Sequence, residues 1–211
     1  FKEYLLDNPD IIIESVDRQR AQEEERTRLS AQENLKKYAD FFKRDDLPMA
    51  GNPNGDVTIV EFFDYNCGYC RKAFADIQKI IEEDKNVRVV FQEMPILSPS
   101  SKKMAQMALA AHKQGKYFEM HRALMDYKGA QTEDAFLKVA EKAGLDVAKL
   151  KEDMAAEDIE INIKKAMNMA RSIGVRGTPG FIVGDTVYAG YIGMKGIKDA
   201  VSKTRAAAKS E

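Results

Sequence analysis

Cys67 and Cys70, separated only by Gly68 and Tyr69, stand where a strand-like run gives way to a helical one, and they are the only cysteines of the 211-residue chain. Val57 to Tyr65 is β-branched and aromatic (VTIVEFFDY) and predicts a strand, while Arg71 to Glu83 predicts a helix. A thiol at such a junction meets unpaired backbone N–H groups and the positive end of a helix dipole. Both favour thiolate over thiol. Cys67 is therefore expected to be nucleophilic at neutral pH. Cys70 falls on the same face one turn further in, within reach of a mixed disulfide on Cys67. The pair reads as redox-active.

Other uses of the two thiols fit less well. A disulfide across two residues closes so short a loop that it constrains the unfolded chain little. A zinc site needs about four ligands. There is no second cysteine pair, and His112 and His121 are nine apart rather than at zinc-finger spacing. No metal or other cofactor is called for.

The 33 Lys and Arg nearly balance 34 Asp and Glu, so nothing points to nucleic acid or to a polybasic membrane surface. No apolar run approaches the roughly 18 residues of a membrane span. A content of 44 % hydrophobic residues is enough for a real core.

Three regions differ in character. Residues 1–47 predict helix: Asn8-Pro9-Asp10 reads as an N-cap with Pro at the first helical position, and Ile11, Ile12, Ile13 and Val16 form an apolar cluster. From Asp17 to Arg28 only Ala21 is apolar. Pairs such as Glu14/Arg18, Arg20/Glu24 and Glu24/Arg28 suit a solvated helix, at about 0.2–0.5 kcal/mol each. The segment is a solvent-bridging helix or a helix–coil linker. Leu29, Leu35, Tyr38, Phe41 and Phe42 then restore an apolar face. Separated from the rest by about twelve polar residues, the cluster at 4–16 finds its best partner in another copy of itself.

The catalytic region is read as 48–211. Asn86 to Met94 predicts a second strand, parallel and adjacent to the first by a right-handed crossover. Helices follow at Lys102–Gln114, Lys116–Asp126, Thr132–Ala143, Val147–Met154 and Asp158–Ile173, a helical insertion at about 99–173. Gly129, Gly144 and Gly174 are expected as stops. Val175 to Val183 predicts a strand, Gly184-Asp185 a tight turn to Thr186–Ala189, and Met194 to Ala208 a last helix.

Strand, CxxC at a helix start, helix, strand, then Gly177-Thr178-Pro179 before a hairpin and a final helix resembles an α/β thioredoxin fold with a helical insertion. Over residues 50–205 the chain is similar to the DsbA-like periplasmic thiol–disulfide oxidoreductases. Phe62 to Cys70 and the charged helical N-terminus most resemble the suppressor-of-copper-sensitivity C type. The resemblance implies that Pro179 is cis and faces the cysteines, and that Thr178 offers its backbone to an extended substrate. It also implies that Glu61 is a buried acid serving Cys70. Strand alternation agrees, turning Glu61 inward with Ile59 and Phe63. Gly68-Tyr69 and Thr178 resemble the DsbC-type isomerases rather than the oxidising DsbA enzymes, which carry Pro-His and Val. Losing that His weakens the positive field at Cys67 and makes the pair less oxidising.

The expected protein is a periplasmic thiol–disulfide isomerase or reductase for misfolded disulfide-containing exported proteins, its export signal removed. The same resemblance implies a DsbD-type membrane reductase upstream and a homo-oligomer, with a trimer favoured over a dimer. A dithiol oxidase, an oligomeric chaperone and a copper-sequestering protein using both thiolates are the alternatives.

Overall fold

The structure is a computed structural model and describes residues 2–209. Helix α1 (Lys2–Asp7) leads into the 30-residue α2 (Pro9–Tyr38), with Pro9 in its first turn as expected. The polar stretch is thus continuous helix. Its ion pairs fall mostly three apart rather than four: Glu23–Arg26 and Glu25–Arg28 at 2.7 Å stand beside the expected Glu14–Arg18 at 2.9 Å. All are exposed and contribute little each.

Along α2 only Leu35 is buried. Leu29, the first residue of the apolar face expected ahead of the domain, is exposed, because the helix meets the domain only in its last two turns. There Asn34 donates to the carbonyl of Ser172 at 2.9 Å, and Ser172 Oγ bonds the Tyr38 hydroxyl at 3.3 Å. Phe42 then inserts against Phe62, ring centroids 6.5 Å apart and nearly perpendicular.

Five strands form one sheet in the order β1-β3-β2-β4-β5. The central β2 (Val57–Phe63) runs parallel to β3 (Val87–Glu93) and antiparallel to β4 (Gly180–Val183). β5 (Thr186–Ala189) closes a hairpin with β4 through Gly184, whose φ of +62° suits the tight turn. β1 (Met49–Gly51) pairs antiparallel with β3 and was not foreseen, since three residues amid Pro, Gly and Asn give no period to read.

The parallel crossover between β2 and β3 is α3 (Gly68–Glu83). Between β3 and β4 come α4 (Pro99–Lys113), α5 (Tyr117–Asp126), α6 (Glu133–Lys142), α7 (Val147–Met154) and α8 (Glu157–Ser172). Gly144 and Gly174 end α6 and α8 with positive φ. Gly129 does not end α5, which stops at Asp126. Val175 is no strand residue either: its N–H closes α8 on the carbonyl of Ala170 at 2.8 Å, and Pro179 has no N–H for a ladder, so β4 begins at Gly180. Helix α9 (Gly193–Ala208) packs on α3.

Both faces of β2 are covered, so alternation here separates two cores rather than inside from outside. Ile59 and Phe63 join the larger core with α3, α4 and α5. Val60 and Phe62 join the smaller one with Leu35, Phe42, Met169 and Ile173. Phe42→Ala is expected to cost about 3–5 kcal/mol, as for a large aromatic lost from a core. Urea unfolding of the full chain checks it.

Candidate active site

β2 ends at Phe63, and a buried turn carries the chain into α3. In that turn Asp64 accepts the Cys67 N–H on its carbonyl at 3.0 Å, and its side chain takes the N–H groups of Asn66, Ile96 and Leu97 at 2.8–2.9 Å. Asn66 donates from its amide to Ser98, Ser100 and Ser101. The loop after β3 is thereby tied to the cysteine loop. Neither residue was singled out from sequence; a short polar pair flanking Tyr65 before a helix start was the available signal.

Helix α3 begins at Gly68, three residues earlier than expected, because Cys67 itself is the N-cap. Its Sγ accepts the N–H of Cys70 at 3.3 Å. The residues the sequence nominated meet here. The Thr178–Pro179 bond is cis, and Cys67 Sγ lies 3.3 Å from the carbonyl of Thr178, to which the thiol donates. Gly68 and Tyr69 are exposed beside it. Cys67 is only 7 % exposed and Cys70 fully buried, both as free thiols.

The two sulfurs differ sharply in acidity. Cys67 is brought down to about 5, first by the hydrogen bond from the Cys70 thiol, then by the side chain of Thr178 and the N–H groups of Cys70 and Tyr69, against the opposing effect of burial. No cationic side chain is among the causes. Cys70 is pushed far up by burial, by its bond to Cys67 and by the charge of Glu61.

Glu61 is fully buried on the Ile59/Phe63 side of β2, and both its oxygens lack a hydrogen-bond partner. Burial and the negative charge of Cys67 push it up to about 8. An acid left neutral in the fold is what such a site permits. Among the described residues no cluster of three or more His, Cys, Asp or Glu is placed to hold a metal ion. The arrangement sets an acidified thiol against the Thr178 carbonyl, with a second, buried thiol behind it and the protonated carboxyl of Glu61 nearby.

Because the folded value of Glu61 lies above the ordinary 4.5, the folded state holds a proton there that the unfolded chain releases. Its stability contribution is whole below about 4.5 and is lost as pH rises through about 8. Glu61→Gln is therefore expected to gain on the order of 1–3 kcal/mol over the parent at pH 8, and much less near pH 4.5. Parallel urea curves at the two pH values check the sign.

The model of the DSBA-like thioredoxin domain matches residues 58–202. A thioredoxin-like oxidoreductase from Silicibacter pomeroyi is 44 % identical, covers 78 % of this chain and 95 % of its own, and superposes with a TM-score of 0.74. A linker-deleted ScsC from Proteus mirabilis is 24 % identical, covers 97 % of this chain and 91 % of its own, and has a TM-score of 0.78; it shares the fold. The Na(+)/H(+) antiporter NhaA 1 of Salinispora arenicola is 29 % identical over 154 residues, 72 % of this chain. This chain spans about a quarter of the length of that relative (24 %). On the family model and on the fold that carries its cysteines, the chain belongs to the DSBA-like thioredoxin domain family.

Proposed function

We propose that the chain is a thiol–disulfide oxidoreductase that works chiefly as an isomerase or reductase on misfolded exported proteins in the periplasm. The observation that carries this reading is the asymmetric thiol pair: one sulfur reactive at the rim and one buried beside an unpartnered carboxyl.

The cycle follows from that asymmetry. The Cys67 thiolate attacks one sulfur of a client disulfide, and the client's other sulfur leaves as thiolate. The carbonyl of Thr178 is freed from the thiol and accepts an N–H of the extended client. If a second client thiolate then attacks the adduct, a new client disulfide forms and Cys67 is released unchanged, which is isomerisation. If Cys70, once deprotonated, attacks the Cys67 sulfur, the bond to the client breaks, the client sulfur leaves as thiolate, the Cys67–Cys70 disulfide forms, and two electrons have passed to the client. Cys70 must lose a proton for that step. Once Cys67 is covalently occupied its negative charge is gone, and with it one cause of the raised Glu61 value. Glu61 then ionises more readily, at the step that needs a base.

The direction of flow is supported by the way the thiolate is held. A value of about 5 lies between the roughly 7 of thioredoxin and the roughly 3.5 of the strongly oxidising DsbA. Hydrogen bonds stabilise the sulfur here without a cation between the cysteines. Isomerisation needs Cys67 kept reduced, so a membrane reductase of the DsbD type is the proposed donor. Tyr4, Leu6, Ile11, Ile12, Ile13 and Val16 are exposed and await a partner. A second or third copy of the same segment would cover them and hold several sites around one client. We favour a trimer. Protection against copper is a further proposal, through repair of oxidised clients or through the two thiolates.

Refolding of a scrambled multi-disulfide client tests the reading. The full chain is expected to restore the client's activity and a Cys67→Ala variant to lose at least tenfold. A chain lacking residues 1–16 keeps Leu35 and Phe42 in the core, and is expected to reduce a simple disulfide normally but to run as a monomer and isomerise poorly. Equal isomerase activity with and without residues 1–16 sinks the oligomer; activity only on the fully reduced client favours the oxidase.

A further inference from the structure

Glu93, His121 and Tyr117 are buried together and take no part in the cycle above. Glu93 is 3 % exposed near the end of β3, and its Oε1 accepts the hydroxyls of Tyr117 at 2.8 Å and Tyr65 at 3.1 Å. The Tyr65 hydroxyl also lies 3.0 Å from Nδ1 of the fully buried His121. With the Tyr65 proton given to Glu93, the imidazole carries its own proton on Nδ1 and donates to Tyr65. Oε2 of Glu93 and Nε2 of His121 have no partner. The rings of Phe63, Phe74 and Phe91 stand within 5.0 Å of the imidazole, centroid to centroid.

Four polar groups in an aromatic core are costly where apolar side chains would pack as well. Two of them, Glu93 and His121, bond the hydroxyl of Tyr65, two residues before Cys67, and Tyr117 shares the same Glu93 oxygen. The other end of Tyr65 is held as well. Its carbonyl accepts from Arg71 Nε at 3.1 Å, while Arg71 Nη1 donates to the carbonyls of Met125 and Tyr127 at 2.8 and 2.5 Å. Those carbonyls are at the C-terminus of α5, the helix that also supplies Tyr117 and His121. Tyr65 is thus fastened to the helical insertion at both its hydroxyl and its backbone.

We infer that Tyr65 is a positioning residue through which the helical insertion holds the turn from Asp64 to Cys67, so that the backbone N–H groups of α3 stay aimed at the Cys67 sulfur. This rests on Cys67 being the nucleophile. Of the bonds that favour its thiolate, the one from the N–H of Cys70 is long, at 3.3 Å, and ends on that single atom. Slack in the preceding turn therefore weakens it directly. The charged or titratable groups around Tyr65 are Glu93 on β3, His121 and Tyr117 on α5, Arg71 on α3, and Glu61 and Asp64 on its own segment. Glu93 is held neutral by burial, so glutamine is its close mimic and keeps the acceptor for both tyrosines.

The test is the pH profile of Cys67 alkylation by iodoacetamide, mapped by peptide mass on the full reduced chain. Tyr65→Phe removes one oxygen and keeps the ring. Its midpoint is expected to rise by at least half a pH unit, a threefold or greater loss of rate below the midpoint. Glu93→Gln is expected to stay within twofold of the parent. A Tyr65→Phe profile that coincides with the parent's, whatever happens to its thermal midpoint, overturns the inference and makes the hydroxyl a core contact only. Should Tyr65→Phe fail to fold, Arg71→Lys keeps the charge but not the three bonds, and an unmoved profile there overturns the inference equally. A parent in which Cys67 titrates like an ordinary thiol overturns the nucleophile reading itself, an outcome distinct from indifference of the variants.

Discussion

A sulfur atom serves as the N-cap of α3, and the rest of the site depends on that substitution of Sγ for the usual oxygen. A helix start leaves N–H groups without partners, and here one of them points at the Cys67 sulfur. Capping and acidification share that interaction, to which the bond from the Cys70 thiol adds the larger part of the acidification. The bond that starts the helix is among those that favour the thiolate, so the fold cannot form α3 without also activating Cys67. Everything before Cys67 fixes where that sulfur stands: Asp64 takes three backbone N–H groups on its side chain, and Tyr65 is held at both ends.

The second constraint is that β2 is buried on both faces. A carboxyl on such a strand has no water to ionise into, and Glu61 finds no partner among its neighbours. Its neutrality is the consequence, and the same burial shields Cys70. Two groups that would be ordinary at the surface are thereby moved apart in acidity from Cys67, a few residues away. The helices between β3 and β4 do more than cover the sheet, since they provide the larger core with most of its methionines and alanines and brace the turn before the cysteines.

Much of this was legible in the sequence because the signals were local. The strand before the CxxC, the parallel partner strand, the Gly184-Asp185 hairpin and the five helices each carry their own period or stop. Glu61 stood out as a charge in an apolar run. What escaped was set by contacts across the chain. β1 owes its pairing to β3 rather than to its own three residues. Leu29 sits on the right side of an apolar pattern but short of the domain that would bury it. Val175 looked extended and is the closing turn of α8. Tyr65, Glu93, His121 and Arg71 lie on separate elements, and only tertiary packing reveals that they meet.

The central claim is that Cys67 is acidified by its place at the helix start. Thiolate absorbance near 240 nm, followed across pH in the reduced full chain and corrected with the oxidised form, reads it directly. One thiol titrating near pH 5, with no second thiolate appearing below pH 9, is the predicted result. A single transition near the roughly 8.5 of a free cysteine would contradict it.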